Sequence, residues 1–290
     1  MRGFDLEQLR TFAAVADAGS LSGAAPTLHL SQSSVSEQIR KLEERAGVPL
    51  FVRSKRGVSV TPAGTRLLNH ARRIVALNEA AFDDLRGQAI EGELRVAITD
   101  YFRTHEVAGM LARLNECYPQ LRLHMSSMKS DDIERAYHRG QLDIGVVMNM
   151  SEGPVRAARQ DTRWTLRSET VSWVSSPELA GHPPSPLPLV LLPADCLLHQ
   201  VAVQALDRAG IAYTMAHSAT GVAGLQSMLA AGLGIGCLSA SSMGEGLERV
   251  NARHRLPKLP DVIFSLLPPR QGESERVTRA REALSRQLLV

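Results

Sequence analysis

The sequence predicts a mixed α/β chain in three parts: a helical N-terminal segment closed by a small hairpin, one long connecting helix, and a C-terminal region of alternating strands and helices. Three observations carry this. Apolar residues recur at helical spacing as far as about residue 47, and "LFVRSKRGVSVT" then alternates apolar and polar residues. "TPAG" at 61–64 places Thr at an N-cap and Pro at N1, a strong helix start. From "GELRVAIT" onward, strand patterns alternate with helical ones, which predicts parallel sheets covered by helices.

In the N-terminal segment, Asp5 followed by Gln8 is a capping-box pattern. Leu6, Leu9, Phe12, Ala13 and Ala16 follow at helical spacing, and "DAGS" ends this first helix. Ser20 caps a second, small-residue helix expected through Leu28, where Ala24 and Ala25 admit a close neighbour. "LHLS" makes the turn. Ser31 or Ser34 caps a third helix, with Val35, Ile39 and Leu42 inward and an end near Gly47. The hairpin turns at Arg56 and Gly57. In the long helix, Leu68, Ala71, Val75, Asn78, Phe82 and Leu85 form a coiled-coil seam in which Asn78 fixes register. The alternative is a helix packed on its own domain. Beyond it, strands are expected at 93–99, 121–127, 142–148, 170–175, 187–192, 212–217, 234–239 and 262–267. "GHPPSPLPLV" reads as a surface loop, and "ERVTRAREALSRQLL" as a final amphipathic helix covering the first sheet.

Composition narrows the function classes. The apolar fraction is 44%, and neither an apolar run long enough to span a membrane nor a secretory leader is read, so the expected location is the cytoplasm. Net charge is +3, which permits a polyanionic partner, and "RSKR" at 53–56 concentrates base. Cys117, Cys196 and Cys237 are too few and too far apart for a disulfide framework or a close-spaced zinc site. No metal or other cofactor is expected.

Four of the six residues Ser31–Ser36 are serine. Two helices joined by a tight turn, the second opening on small polar residues, is the helix-turn-helix pattern, and a basic hairpin behind it makes it winged. The major groove admits one helix, so small residues suit its leading end. Ser31, Gln32, Ser33, Ser34 and Ser36 take that place, with Gln32 able to reach an adenine edge or a phosphate. Arg40, Arg53, Lys55 and Arg56 are the phosphate-neutralising candidates. A serine-rich start also serves simply as a cap.

These residues resemble a known family. F-x-x-V-A from Phe12, "GS" before an alanine pair, "L-x-x-SQ-x-x-VS-x-QI-x-x-LE", "G-x-x-LF-x-R" and "T-x-AG" together look like the N-terminal domain of LysR-type transcriptional regulators. The long helix and C-terminal region match that family's order and length, so the resemblance covers the chain. Two departures stand out. Ser33 occupies the family's usual proline position, and Pro26 lies inside the second helix, where it should kink or shorten it.

The resemblance implies a winged helix-turn-helix domain over 1–60, a linker and dimerisation helix over 61–88, and a periplasmic-binding-protein-like effector domain over 89–290. Subdomain I would comprise 89–161 and 266–290, subdomain II 162–265, with an effector cleft between them. Candidate effector positions at strand ends and helix starts are Thr99, Asp100, Tyr101, Ser130, Met148, Cys196, His199, Ser218, Thr220 and Gly221, with Asp195 beside Cys196. Ser130 is expected to cap the helix "DDIERAYHRG". Each polar residue also fits an ordinary cap or turn. "PLPLVLLPADC" through "AGLGIGCL" looks like the subgroup of LrhA- and HexA-type regulators, as does Asp100 after the first strand. Asp100 either repels anionic effectors or binds an amine-bearing or hydroxylated one.

The resemblance implies double-stranded DNA, a small-molecule effector and self-association as a dimer or tetramer, and admits RNA polymerase; no membrane partner is expected. An enzyme is not expected. "GLGIG" at 232–236 follows a helix and precedes a strand, the reverse of a dinucleotide site, and Cys196 with His199 lacks an oxyanion motif. The alternative is a thiol-based redox sensor using Cys196 and Cys237.

Overall fold

Four side-chain caps set the N-terminal architecture of this computed structural model, which describes residues 3–54, 57–86, 90–102, 104–151, 164–250 and 252–288. Asp5 accepts from the Gln8 N–H at 3.1 Å and opens α1 (Leu6–Ala18). Ser20 accepts from Gly23 at 3.0 Å and opens α2 (Leu21–Ala24). Ser31 accepts from Ser34 at 3.1 Å before α3 (Gln32–Ala46), and Thr61 from Gly64 at 2.9 Å before α4 (Pro62–Leu85). Each cap satisfies an N–H that the helix itself leaves without a partner. Strands β1 (Phe51–Ser54) and β2 (Gly57–Val60) form an antiparallel hairpin between α3 and α4.

The second helix is shorter than the sequence pattern suggests. It ends at Ala24, and turns run on to His29, whose φ is 53°. Pro26 accounts for this, since it has no N–H to continue the ladder and its ring crowds the preceding turn.

The chain divides into two compact units, residues 1–92, 109–121 and 282–290 in one, and 93–108 and 122–281 in the other. In the first, Leu9, Phe12, Val15, Ala24, Val35, Ile39, Leu42 and Leu50 form the core, joined by Leu68 and Ala71 of α4, with Val75 packed against them. The expected seam is therefore split. Its first half is spent on its own unit, while Phe82 and Leu85 stay exposed, Leu85 at 86%, as do Ile74 and Leu77 outside the expected seam.

The remaining elements are β3 (Gly92–Thr99), α5 (Thr104–Cys117), β4 (Leu121–Met128), α6 (Ser130–His138), β5 (Ile144–Met150), β6 (Thr165–Glu169), β7 (Val171–Ser175) and α7 (Pro177–Gly181). There follow β8 (Leu187–Leu191), α8 (Leu197–Ala209), β9 (Tyr213–Ser218), α9 (Val222–Ala230), β10 (Gly236–Ser239), β11 (Glu248–Arg249), β12 (Val262–Leu266) and α10 (Glu275–Leu288). One sheet has the order β4-β3-β5-β12-β6; β10-β7-β11 and β8-β9 form the second layer, bridged by Leu189 and Ile235. The sheets are mixed rather than parallel. β3 runs parallel to β5 and β8 to β9, but β12 is antiparallel to both its neighbours, and β10 and β11 are antiparallel to β7. β12 enters the first sheet on its way back from the second, which reverses its direction. Strand β6, absent from the sequence expectation, pairs with it.

Behind the first sheet, Ala97, Ile133, Ala136, Tyr137, Val147 and Leu267 make a core into which Arg281 of α10 is fully buried. Arg281 donates to the Leu267 carbonyl at 2.5 Å and the Tyr137 hydroxyl at 3.1 Å, and pairs with the buried Glu273 carboxylate. No helix among the described residues is long and apolar enough to cross a membrane.

Two substitutions test this packing. An added Cβ at Gly64 would stand 2.2 Å from the Leu50 carbonyl oxygen, inside any tolerated contact. Gly64→Ala, which in an open helix stabilises by about 1 kcal/mol, should therefore lower the urea midpoint; a raised midpoint would remove the close approach. Arg281→Met should cost roughly 3–5 kcal/mol by stranding Glu273, and Arg281→Met/Glu273→Gln should recover part of the loss in the same unfolding assay.

Candidate nucleic-acid interface and inter-sheet site

Helix α3 presents its first turn to solvent because its apolar stripe, Val35, Ile39 and Leu42, is buried. Ser31, Gln32 and Ser33 are exposed, and Ser34 and Ser36 are half-buried. The Ser31 hydroxyl lies 2.8 Å from those of both Ser33 and Ser34, so three hydroxyls form one cluster at the tip. Ser33 thus ties into the cap where a proline would fix φ. Further along, Arg40 is exposed but engaged: it donates to Glu37 at 2.6 and 2.9 Å and pairs with Glu44. The Arg40 hydrogen bond in turn holds the Glu37 carboxyl below its ordinary range.

The helix is positioned by polar contacts beneath it. Thr11 of α1, buried, donates to Gln38 of α3. The Glu43 carboxylate accepts from the Leu50 and Phe51 N–H groups at 2.7 and 3.1 Å, fixing where β1 leaves α3. Gly57 opens β2 at φ 124°, and a Cβ there would meet the Gly19 carbonyl oxygen at 2.7 Å. Val58 donates to that same carbonyl at 2.8 Å, which anchors the hairpin to the end of α1. Arg53 sits on β1 opposite Val58, but its side chain lies outside the described residues, as do Lys55 and Arg56.

In the second unit, strand ends of the first sheet meet helix starts of the second. Thr99, the last residue of β3, is buried, and its hydroxyl has no hydrogen-bond partner among the described residues. Asp100 follows; its carboxylate oxygen Oδ2 lies 3.9 Å from where a Cβ on Gly221 would stand, beside the start of α9. Burial raises the Asp100 carboxyl above its ordinary value, opposed by the nearby backbone N–H groups of Val222 and of Asp100 itself and by the charge of Lys129. The Tyr101 hydroxyl is 3.3 Å from the Cys196 sulfur at the start of α8, and the Tyr101 carbonyl accepts from Ser242 at 3.0 Å. Burial, and then Cys196, pushes the Tyr101 phenol well up.

Ser130 does not cap α6. It is the helix's first residue, behind Lys129, and its hydroxyl accepts from the Met148 N–H on β5 at 2.9 Å. That pairing joins two expected residues by a different bond, because the β5 N–H otherwise faces the helix start unpaired. His199 turns back to the Leu192 carbonyl at 2.6 Å. Ser218 and Thr220 are exposed, and among the described residues no side-chain hydrogen bond links them to the rest. Sequence reasoning missed Lys129, whose ammonium pairs with both Asp195 oxygens at 2.7 and 2.9 Å. A lysine just before a helix was its only signal.

Comparison with known proteins decides the family. Residues 6–65 match the model of bacterial regulatory helix-turn-helix proteins of the lysR family, and residues 87–289 that of the LysR substrate binding domain. The chain belongs to the LysR family. This LysR-type regulator is 30% identical over 265 residues to the transcriptional regulator DgdR of Burkholderia cepacia, covering 91% of this chain and 88% of that one. It is 28% identical over 262 residues to PecT of Dickeya dadantii, covering 90% and 81%. Its fold is also that of Vibrio fischeri DarR, solved in complex with DNA, at a TM-score of 0.52, 18% identity and 98% coverage of both chains. A LysR-type regulator is a DNA-binding transcription regulator with an effector-binding domain, not an enzyme, and the helix-turn-helix match spans α1 through the start of α4.

One prediction follows from the Glu43 contacts. Glu43→Ala leaves the Leu50 and Phe51 N–H groups without their acceptor, so it should destabilise by about 1–3 kcal/mol and loosen the hairpin. Faster amide exchange at residues 50–60 with little change in α10 would be the expected pattern; uniform exchange would show the contact has no local role.

Proposed function

We propose that this LysR-type regulator reads an operator half-site with the first turn of α3, using Ser31, Gln32, Ser33, Ser34 and Ser36, while Arg40, Arg53, Lys55 and Arg56 neutralise phosphates. The observation that supports it is the exposed, capped serine tip standing on a buried apolar stripe. Small hydroxyl groups there let the helix end approach base edges. The divisions 1–60, 61–88 and 89–290 follow the same reading. Within the last, sheet membership favours moving the crossings between subdomains to Thr170 and to the segment between Arg249 and Val262.

Self-association as a dimer or tetramer rests on the exposed Ile74, Leu77, Phe82 and Leu85 of α4, an apolar face of the kind a partner helix covers. A dimer would place two α3 helices on half-sites about 34 Å apart. The effector is taken up where β3, α6, α8 and α9 meet, among Thr99, Asp100, Tyr101, Ser130, Met148, Cys196 and Gly221, with His199, Ser218 and Thr220 at its edge. The cytoplasm is the proposed location and RNA polymerase the partner at promoters. The thiol alternative is disfavoured, since Cys237 is buried and burial pushes its thiol far up, away from the reactive thiolate.

Two measurements test this. Gln32→Ala should relax base preference in selection from random fragments, whereas Arg53→Ala should weaken all sequences alike and reduce the slope of log affinity against log salt by roughly 0.9. An unchanged slope would remove the hairpin from the phosphate contacts. Leu77→Asp/Leu85→Asp should lower the sedimenting mass and weaken operator binding by about 100-fold or more through lost bivalency; retained mass would place self-association elsewhere.

A further inference from the structure

The face of α3 opposite its buried stripe carries more than serines. Val35, Ile39 and Leu42 point inward, and at about 100° per residue the opposite direction falls on Ser33, Glu37 and Glu44, with Arg40 beside them. All of these are exposed. Glu37 stands one turn behind the serine tip, at the middle of that face, and unlike Ser33 and Arg40 it has no proton to donate to a phosphate. Its carboxylate is held in place. Arg40 grips it side-on, Nε donating to Oε2 at 2.9 Å and Nη2 to Oε1 at 2.6 Å, and the Lys41 ammonium lies 3.7 Å from Oε1. The Arg40 hydrogen bond also keeps it ionised. A carboxylate has about four acceptor positions and Arg40 takes about half of them, so acceptor capacity remains.

We propose that Glu37 determines specificity: its carboxylate accepts from the N4 amino group of a cytosine in the operator half-site, in the orientation that Arg40 sets. The inference rests on α3 being the helix that reads DNA, and adds a residue and a base to that reading. The chemistry singles out cytosine. Only cytosine and adenine offer a donor in the major groove, and adenine's amino group stands beside N7, an acceptor that repels a carboxylate. Phosphates repel Glu37 on every sequence, and a cytosine amino group at the right position offsets that repulsion. Glu37 therefore narrows the set of sites by repulsion as well as by attraction.

The test is selection from a random duplex pool with the full-length protein, followed by affinities for the selected site and its single-base variants. The unsubstituted protein should select cytosine at one position of each half-site, where any other base costs about tenfold. Glu37→Gln, which can pair with adenine through its amide oxygen and nitrogen, should move that position from cytosine toward adenine and leave the others alone. Glu37→Ala should leave it without preference and raise affinity for arbitrary duplex by up to about fivefold. Glu44→Gln removes an equal charge from Arg40, farther from the leading end of the helix, and should raise affinity with no change of preference. Glu37 variants that behave like Glu44→Gln overturn the base contact while leaving α3 on the DNA. Glu37 variants with neither preference nor affinity altered overturn it together with the reading of α3.

Discussion

The junction between residues 43 and 64 is the constraint on which the N-terminal unit depends. Glu43 accepts two N–H groups from the start of β1, Thr61 donates its N–H to the Leu50 carbonyl at 2.9 Å and its hydroxyl to the Pro49 carbonyl at 2.9 Å, and Gly64 lets α4 pass against that same Leu50 carbonyl. These contacts tie together the end of α3, the base of the hairpin and the start of α4. A displacement of any one moves the other two, because close-packed backbone has no slack to absorb it.

The second unit has its own fixed point. Arg167 on β6 lies 4.6 Å from the Phe102 ring centre and 5.0 Å from that of Phe264, and pairs with Glu106 and Glu169. Glu169 also accepts the Ser241 N–H at 2.8 Å, and Arg167 donates to the Ser241 hydroxyl at 3.2 Å. A largely buried cation with aromatic faces and two carboxylates around it is costly to disturb. It stands where the chain passes between the sheets, so the strand ends and helix starts on either side keep a fixed pivot.

What the sequence disclosed is what depends on neighbours along the chain. The caps at Asp5, Ser20, Ser31 and Thr61 obey short-range rules and stand where those rules put them. Pro26 shortens α2 for an equally local reason. Ser130 shows the limit: its position predicts a cap, but the Met148 N–H eighteen residues on competes for its hydroxyl and wins. The seam of α4 reads as one stripe, yet half of it is claimed by the core it shares with α1 and half is left open, which periodicity cannot apportion. Arg281 sits in a helix with a charged pattern and gives no sign of complete burial; Tyr137 and Glu273, far from it or off its own helix, create that environment. The Tyr101 hydroxyl beside the Cys196 sulfur is of the same kind, a contact across 95 residues.

The pairing of Arg40 with Glu37 and Glu44 bears on how such a protein searches a genome. A free arginine on a reading helix binds any phosphate it meets, and every stretch of duplex then competes with the operator. Here the guanidinium already has two carboxylate partners, so on the proposed reading of α3 a phosphate would have to replace them against the repulsion of those carboxylates. Loose binding to arbitrary sequence loses most by this exchange, since it has no base contacts to offset the loss. On the proposed reading of α3 as the recognition helix, that exchange would shorten each unproductive stop along the chromosome.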